Sequence, residues 1–530
     1  MADTYSAMRN PPTGAEGPIS RREFGRQLGA AAVAGSMSGS MAGPHLTSEP
    51  EMESTLPPPA TARDLVFMTA TELVALLRAK KVSAREVLEA HLAQIDRVNP
   101  KVNSIVTLVA DRAMADAKKA DDDIAKGRPR GALHGLPIAH KDLVDTAGIR
   151  TTKGSPFYRD NVPTRDAPII RRIRAAGAIT IGKTNTPEFG AGSQTFNPVF
   201  GATKNPYDTS KTCGGSSGGA AVSLACGMIP IADGSDTGGS LRNPASFCNV
   251  VGFRPSPGRV PSDSHSWSPL SVSGPLARNV TDLALFFNAL VGPDPHSPLS
   301  LDDDANRATR SLARDFKGVR VAWWKGLGGI PFEAETRDII NAQRHVFASL
   351  GCIIEEAEPD FAGVDEAFPT LRHLSYHTNQ GPLVQQRPEW VKDTIKWEVA
   401  EAERQTAADV ARAMARQGKM YDDCATFFER YEYFVLPVTQ LAPFDVTTEY
   451  PKEVAGVAMP TYIDWMRSCW YISFMSNPAI SVPAGFTKSG LPVGIQIVGR
   501  ARRDWSVLQL GRAFEAATNV GQRRPTIASA

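Results

Sequence analysis

Positions 213–242 read C-G-G-S-S-G-G-A-A-V-S-L-A-C-G-M-I-P-I-A-D-G-S-D-T-G-G-S-L-R, and this glycine- and serine-rich stretch is the most informative part of the sequence. The small-residue run that closes at Gly227 predicts a short helix, and the apolar residues 228–232 predict a buried strand. Ser216 and Ser240 therefore stand at the two ends of one loop–helix–strand–loop unit.

The same unit carries the groups that serine hydrolysis requires, namely a nucleophile, a base and converging N–H donors. Ser240 follows Thr237-Gly238-Gly239, and glycines let successive N–H groups converge into an anion site. Lys141 ends the strand-like run G-L-P-I-A-H-K and supplies a base other than histidine. The competing interpretation is that the glycine turns only permit close packing; two such turns together with the lysine argue against it.

Helices and strands alternate along the rest of the chain, which indicates an α/β layered fold. Capping boxes at Thr69–Glu72 and Ser83–Glu86 each open a helix, and Asn99-Pro100 is expected to stop the second one. Further helices are expected at 109–126, 168–176 and 220–226, and further strands at 137–139, 178–182, 319–323, 433–438, 479–482 and 491–498. The last strand follows Ser489-Gly490 as the second arm of a hairpin.

Composition excludes several classes of function. The 58 basic and 56 acidic residues leave a net charge of +2, so no electrostatic attraction to nucleic acid is expected. The six cysteines form no C-x-x-C pair, which argues against a zinc ribbon or a disulfide framework. We expect no metal, no other cofactor and no membrane span.

The N-terminus resembles an export signal. Ser20, Arg21, Arg22 and Phe24 precede a mild Ala/Gly-rich run, and Ser40-Met41-Ala42 has small-x-small spacing. We expect a bacterial twin-arginine leader at 1–43, a linker at 44–62, one catalytic domain at 63–520 and a C-terminal tail at 521–530. The protein would then be periplasmic or otherwise exported. The alternative is a disordered arm on a cytoplasmic protein.

Replacing Arg21 and Arg22 together by lysine should stop export, because the twin-arginine route reads the arginine pair. Cell fractionation of the full chain measures this. An unchanged periplasmic yield would contradict the export assignment.

Taken together, the motifs resemble the amidase signature family. The resemblance rests on G-G-S-S-G-G, D-T-G-G-S-L-R, F-C-N-V-V-G-F-R-P, G-K-T-N-T-P-E-F-G, L-P-V-G-I-Q-I-V-G-R and a lysine 75 positions before Ser216, and it extends over about 69–515. It implies a single α/β/α sandwich around a large mixed sheet. It also implies Ser240 as nucleophile, Ser216 as bridging serine and Lys141 as base, with an oxyanion hole formed by the backbone of Thr237, Gly238, Gly239 and Ser240.

This arrangement requires Lys141 to be uncharged, although a free lysine titrates near 10.4. Burial would lower its pKa. The family holds the peptide before Ser216 in the cis form, and Gly215 keeps crowding low there. We interpret Asp236 and Arg242 as a structural ion pair that braces the nucleophile turn. Cys213 stands where the family often has proline, and it would be a spectator thiol.

The expected reaction is hydrolysis of a carboxylic amide to a carboxylate and ammonia or an amine through an acyl-enzyme. A carbamate or ester hydrolase of the same family remains an alternative, as does an amidotransferase component that works with partner chains. Residues 215–219 also fit the G-x-S-x-G elbow around Ser217, but no strand is expected before it. His373 and His377 share helix spacing without a metal motif, and His140 is expected to be structural.

The substrate is expected to be a small amide, with a preference for hydrophobic or aryl groups as one option. This option rests on aromatic residues between 361 and 474: Trp390, Trp397, Tyr421, Phe427, Phe428, Tyr431, Trp465, Trp470 and Tyr471. They could wall an apolar pocket or simply fill the core. The oligomeric state is left open, and a homodimer is one option.

Overall fold

The computed structural model describes residues 61–262, 267–302 and 310–529, without the side chains of residues 62 and 63. The predicted leader at 1–43 lies outside these residues, as does almost all of the linker predicted at 44–62. Across the three described ranges, we find no helix with the length and apolar character needed to cross a bilayer.

The strands fall into two sheets and two short ribbons. In chain order they are β1 (Ile105–Leu108), β2 (Pro137–Lys141), β3 (Ile179–Thr184), β4 (Phe196–Asn197), β5 (Gly201–Ala202), β6 (Ile231–Asp236), β7 (Val251–Arg254), β8 (Val272–Ala277), β9 (Arg320–Trp323), β10 (Ile353–Glu356), β11 (Tyr433–Pro437), β12 (Glu453–Val454), β13 (Val457–Ala458), β14 (Ala479–Phe486) and β15 (Pro492–Gly499). Strands β4 and β5 form one ribbon, and β12 and β13 form the other.

The centre of the fold is an eight-stranded mixed sheet with strand order β10-β9-β11-β15-β14-β7-β8-β6. Its two longest strands, β14 and β15, form the expected hairpin, in which Ile480 pairs with Ile497 across an antiparallel ladder. Strand β6, which leads into the turn that carries Ser240, lies at one edge of this sheet.

A separate three-stranded sheet adjoins the β6 edge, with strand order β1-β3-β2. Strand β2 lies next to β6, and the Asp233 carboxylate of β6 accepts the Lys141 N–H at 2.9 Å. A side chain therefore joins the two sheets where Lys141 ends its strand.

Helices surround the large sheet. They are α1 (Ala62–Leu65), α2 (Ala70–Arg78), α3 (Ala84–Val102), α4 (Ala110–Ala125), α5 (Pro168–Ala175), α6 (Gly218–Ala225), α7 (Arg242–Phe247), α8 (Val280–Leu290), α9 (Ala334–Ala342), α10 (Arg344–Ser349), α11 (Val364–Gln386), α12 (Asp393–Arg404), α13 (Ala407–Arg430), α14 (Arg467–Met475), α15 (Asp504–Thr518) and α16 (Thr526–Ser529). Short 3₁₀ turns occur at Pro156–Tyr158, Glu188–Gly190, Leu327–Gly329, Pro388–Trp390, Asp464–Met466 and Val520–Gln522.

Helices pack on both faces of the sheet, as strand β15 shows. Gln496 faces α7, where its side-chain oxygen accepts from Arg242 at 2.5 Å. Three residues later, Gly499 lies against Val507 of α15, on the opposite face. All eight residues of β15 are buried, as expected of a strand covered on both sides. The predicted α/β fold with a large mixed sheet is confirmed.

Local predictions succeed where the signal is a short-range hydrogen bond. Both capping boxes form, with the Thr69 and Ser83 side chains accepting from Glu72 and Glu86. The prediction that Pro100 stops a helix is wrong: α3 continues to Val102. The strand expected at 228–232 is shifted: β6 spans Ile231–Asp236 and leads directly into the turn that carries Ser240.

The C-terminal residues pack onto the body of the protein. Ala528 is fully buried, and its carbonyl accepts from Gln94 at 3.1 Å and from Arg97 at 2.6 Å. The predicted boundary between a domain at 63–520 and a tail at 521–530 stays a prediction. Residues on both sides of that boundary pack against the rest of the protein.

Candidate active site

Lys141 lies at the C-terminal end of β2 with its side chain fully buried. Its Nζ donates to three hydroxyls: Ser216 Oγ at 2.7 Å, Ser217 Oγ at 2.9 Å and Ser235 Oγ at 3.1 Å. Three hydroxyl acceptors satisfy an amine without placing a carboxylate directly on it. The structure thus brings together Lys141 and Ser216, the two residues expected as base and bridging serine.

Burial changes the chemistry of this amine. Desolvation lowers the pKa of Lys141 to about 7, even though the charges of Asp236 and Asp233 act in the opposite direction. A lysine in water is almost fully charged at neutral pH. A substantial fraction of Lys141 is therefore uncharged near pH 7 and able to accept a proton.

The two serine turns lie side by side. The peptide between Gly215 and Ser216 is cis, and the Ser217 N–H donates to the Ser240 carbonyl at 3.3 Å. Ser216 is 2% exposed and Ser240 is 9% exposed, so both are buried but Ser240 is the more accessible. The Ser240 hydroxyl itself forms no hydrogen bond with any residue in the described ranges.

A buried ion cluster holds the turn that leads to Ser240. The Asp236 carboxylate accepts from Arg242 Nη2 at 2.9 Å, Arg254 Nη1 at 3.2 Å and the Leu241 N–H at 3.1 Å. Burial alone would raise the pKa of Asp236, but the two guanidinium groups hold it below its usual range. Arg242 also donates to the Cys469 carbonyl at 2.9 Å, which ties the turn to α14.

The loop before Ser240 presents N–H groups, but not all of those expected. The Gly239 N–H donates to Asp236 Oδ1 at 2.9 Å, so it is occupied by the ion cluster and does not face an oxyanion. Within the described residues, the N–H groups of Gly238 and Ser240 have no acceptor. Gly239 has φ +114°, and a Cβ there would lie 2.5 Å from Cys469 Cβ, so only glycine fits.

An aromatic pair lies against the same loop. Phe368 of α11 and Trp470 of α14 stack with ring centroids 4.6 Å apart and planes 10° apart. A Cβ placed on Gly238 would lie 3.6 Å from Trp470 and 3.7 Å from Phe368. Trp470 was among the aromatic residues expected to wall a pocket, whereas Phe368 was missed.

Other aromatic residues of that segment lie elsewhere. Tyr421 and Phe428 line a separate cavity of about 270 Å³ that includes none of the Lys141, Ser216 or Ser240 residues. Trp390 is 40% exposed and packs edge-on against Phe157.

The structure also shows the surroundings of other residues singled out in the sequence, namely His140, His373 and the cysteines. His140 is fully buried between Asp233 and Thr180 Oγ1, where no substrate can reach it. His373 contacts Glu398 through Nδ1 at 2.5 Å. Cys213 is buried, and burial raises its pKa to about 12. All six cysteines are free and buried. In the part of the chain that the structure describes, no group of three or more His, Cys, Asp or Glu side chains is arranged as a metal site.

Sequence reasoning missed four contributors to the site: Ser217, Ser235, Asp233 and Arg254. Ser217 appeared only as the centre of a rejected elbow motif, and no strand precedes it. Asp233 and Ser235 are two residues apart on β6, so strand alternation places them on one face, toward β2. The correct strand register would have revealed that signal.

Over most of its length, the chain is similar to proteins of one family. The family model described as Amidase matches residues 86–508. An acylamidase of Rhodococcus erythropolis is 35% identical over 474 residues, which cover 88% of this chain and 98% of that protein. The chain belongs to the amidase signature family.

Other proteins similar to this chain have different activities. A glutamyl-tRNA(Gln) amidotransferase subunit of Moorella thermoacetica is 33% identical over 494 residues, covering 88% of this chain and 99% of that one. The crystal structure of a bacterial aryl acylamidase of the amidase signature family superposes with a TM-score of 0.82 and 28% identity, covering 87% of this chain and 98% of that one. The chain is therefore an amide-hydrolysing enzyme.

Replacing Asp236 by asparagine should destabilise this amidase by about 3–5 kcal/mol, because two buried guanidinium groups lose their carboxylate. Denaturant unfolding measures the change. Asp338→Asn, in the exposed Arg337–Asp338 pair, is the matched control and should leave stability unchanged. Equal stability of the Asp236→Asn variant and the wild type would contradict a bracing role.

Proposed function

We propose that this chain hydrolyses a carboxylic amide through an acyl-enzyme on Ser240, with Ser216 as proton relay and Lys141 as base. The observation that carries the proposal is the fully buried Lys141 amine, 2.7 Å from the Ser216 hydroxyl. A neutral amine in this position has no evident structural use, since its three partners are hydroxyls rather than a carboxylate.

The proton path has two steps. Ser240 Oγ bonds to the carbonyl carbon while its proton passes to Ser216, and the Ser216 proton passes to Lys141 Nζ. The carbon–nitrogen bond then breaks, and the amine leaves with the proton returned through Ser216. Water then attacks the ester carbonyl carbon while its proton passes through Ser216 to Lys141 Nζ. The bond between that carbon and Ser240 Oγ breaks, Ser240 takes the proton back through Ser216, and the carboxylate is released.

The contact between Ser240 and Ser216 forms in this scheme when substrate is bound. Catalytic hydrogen bonds are often long or misaligned in substrate-free enzymes and tighten in the complex. The parallel placement of the two turns, through the Ser217 N–H and the Ser240 carbonyl, keeps the two hydroxyls on adjacent segments.

The oxyanion is assigned to the N–H groups of Gly238 and Ser240, with that of Thr237 as a third donor. The Gly239 N–H is withdrawn from the set because it already bonds Asp236. One well-placed donor contributes about 3–4 kcal/mol to transition-state stabilisation in known enzymes.

A second candidate function is that of an amidotransferase component, which the 33% identity to the Moorella thermoacetica protein favours. The two candidates differ in whether the purified chain turns over an amide without partner chains.

The purified chain alone should hydrolyse 4-nitroacetanilide, and Ser240→Ala should lower kcat by at least about 10³-fold while remaining folded. Release of 4-nitroaniline measures turnover, and circular dichroism checks the fold. Ser223→Ala, a buried serine that donates to the Gly219 carbonyl and contacts neither Lys141 nor the Asp236 cluster, controls for loss of a serine hydroxyl. Turnover of the Ser240→Ala variant at the wild-type rate would remove Ser240 as nucleophile, and an inactive wild-type chain would favour the amidotransferase function.

The pH dependence of kcat/KM should reveal the ionisation of Lys141, the proposed base. Since Lys141 has to be uncharged, kcat/KM should rise with pH to a plateau above about 7, the value to which burial lowers the pKa of Lys141. Below that pH the rate should fall about tenfold for each pH unit. Lys141→Met should abolish turnover across the whole range. A wild-type profile that stays flat from pH 5 to 8, an interval of roughly three units around the expected value, would rule out this base.

We also propose that the Phe368–Trp470 pair borders the substrate and favours aryl groups. The stacked pair lies against Gly238, one of the assigned oxyanion donors, and so flanks the position of the substrate carbonyl. Aryl groups prefer offset or edge contacts with such rings.

Phe368→Leu should reduce kcat/KM for 4-nitroacetanilide by about 3- to 10-fold, and that for propionamide much less, because only the anilide loses a ring contact. Phe347→Leu, in the Phe347–Phe514 stack with centroids 5.0 Å apart, is the matched control. Equal losses on both substrates would show that Phe368 only supports the fold.

A further inference from the structure

The junction between the two sheets contains a buried pair that the proposed reaction does not use. Asp233 of β6 and His140 of β2 are both fully buried. The Asp233 carboxylate meets His140 Nδ1 through one oxygen, and through the other it accepts the Lys141 N–H at 2.9 Å. His140 is held on its far side by Thr180 Oγ1 of β3, at 3.0 Å.

The Asp233–His140 pair takes the place of backbone strand pairing at the end of β2, where Lys141 lies. Strands β2 and β6 belong to different sheets, so the end of β2 is not fixed to β6 by a backbone ladder. Strand β6 instead holds Lys141 at both ends, with Asp233 on its backbone N–H and Ser235 Oγ on its Nζ, at 3.1 Å. The Asp233–Ser235 spacing of two residues puts both contacts on one face of β6.

We propose that the Asp233–His140 pair is the positioning device for Lys141: Asp233 fixes the strand end that carries the lysine, and its charge stabilises the protonated amine during turnover. The inference rests on the proposed function of Lys141 as base. Asp233 is bonded to the backbone of Lys141, and its charge raises the pKa of the Lys141 amine against the effect of burial, so it acts on the ammonium as well as on the strand end.

Other charged groups face the same junction and have to be held constant in any test. Asp236 lies on β6 with its two arginines, and Lys183 lies on β3, where it donates to Val144 O at 2.5 Å and to Thr146 Oγ1 at 2.9 Å. Both Asp233 and Asp236 raise the pKa of Lys141 against the effect of burial. Asp236 is already bound by Arg242 and Arg254, which leaves Asp233 as the carboxylate attached to the lysine strand itself.

Asp233→Asn separates charge from geometry. An asparagine oxygen still accepts the Lys141 N–H. Its NH2 donates to His140 Nδ1 once the ring proton moves to Nε2, which Thr180 Oγ1 can accept, so the contact is kept while the negative charge is gone. The acid limb of kcat/KM for 4-nitroacetanilide should then move to lower pH by about one unit, with KM on the plateau unchanged. Asp282→Asn, a fully buried carboxylate that accepts backbone N–H groups of Ala70 and Thr71, is the matched control and should leave the limb in place.

The outcomes distinguish this inference from the proposed function. A wild-type limb that is absent overturns Lys141 as base and the inference with it. If the wild type shows the limb but Asp233→Asn moves it by less than about half a pH unit, or moves it to higher pH, the inference alone is overturned. A drop in kcat without a shift of the limb means that the pair is purely structural.

If Asp233→Asn does not fold, His140→Gln provides the test. It keeps the charge of Asp233 and withdraws the imidazole, so the limb should lie at or above the wild-type pH. A limb below the wild-type value would overturn the inference.

Discussion

The proposed chemistry depends on one buried amine, that of Lys141. Placing an ammonium group in a protein interior is strongly unfavourable unless it is paired or gives up its proton. Lys141 is surrounded by hydroxyls from two chain segments, while the nearest carboxylates bind arginines or a histidine instead. Burial therefore prevails over attraction, and the pKa of Lys141 falls to about 7. A weak acid at this value can accept and return a proton within one catalytic cycle.

The turn before Ser240 is held by a separate set of contacts. Asp236 gathers two guanidinium groups and two backbone N–H groups into one buried cluster. This cluster fixes the backbone that precedes Ser240, and it consumes the Gly239 N–H in doing so. In the described part of the chain, the N–H groups of Gly238 and Ser240 are left without an acceptor. Lys141 and the turn are thus held by different carboxylates, Asp233 and Asp236.

Much of this organisation is readable from the sequence, and the limits follow from physics. Capping boxes and glycine turns are local signals, so both predicted helix starts and the two serine loops were found. Pro100 misled because a proline in the last turn of a helix does not have to end it at once. The Asp233–His140 contact joins residues 93 positions apart, and the stacking of Phe368 on Trp470 depends on how two helices pack. Neither has a signal in linear spacing.

The most direct measurement of the central claim is an NMR titration of the Lys141 amine, with ¹⁵N-labelled lysine and assignment by loss of the resonance in Lys141→Met. The account predicts a transition with a midpoint near 7, the value to which burial lowers the pKa of Lys141. Other lysines titrating near 10 serve as internal references. A Lys141 resonance that stays in the ammonium form up to pH 9, about two units beyond the expected midpoint, would contradict the account.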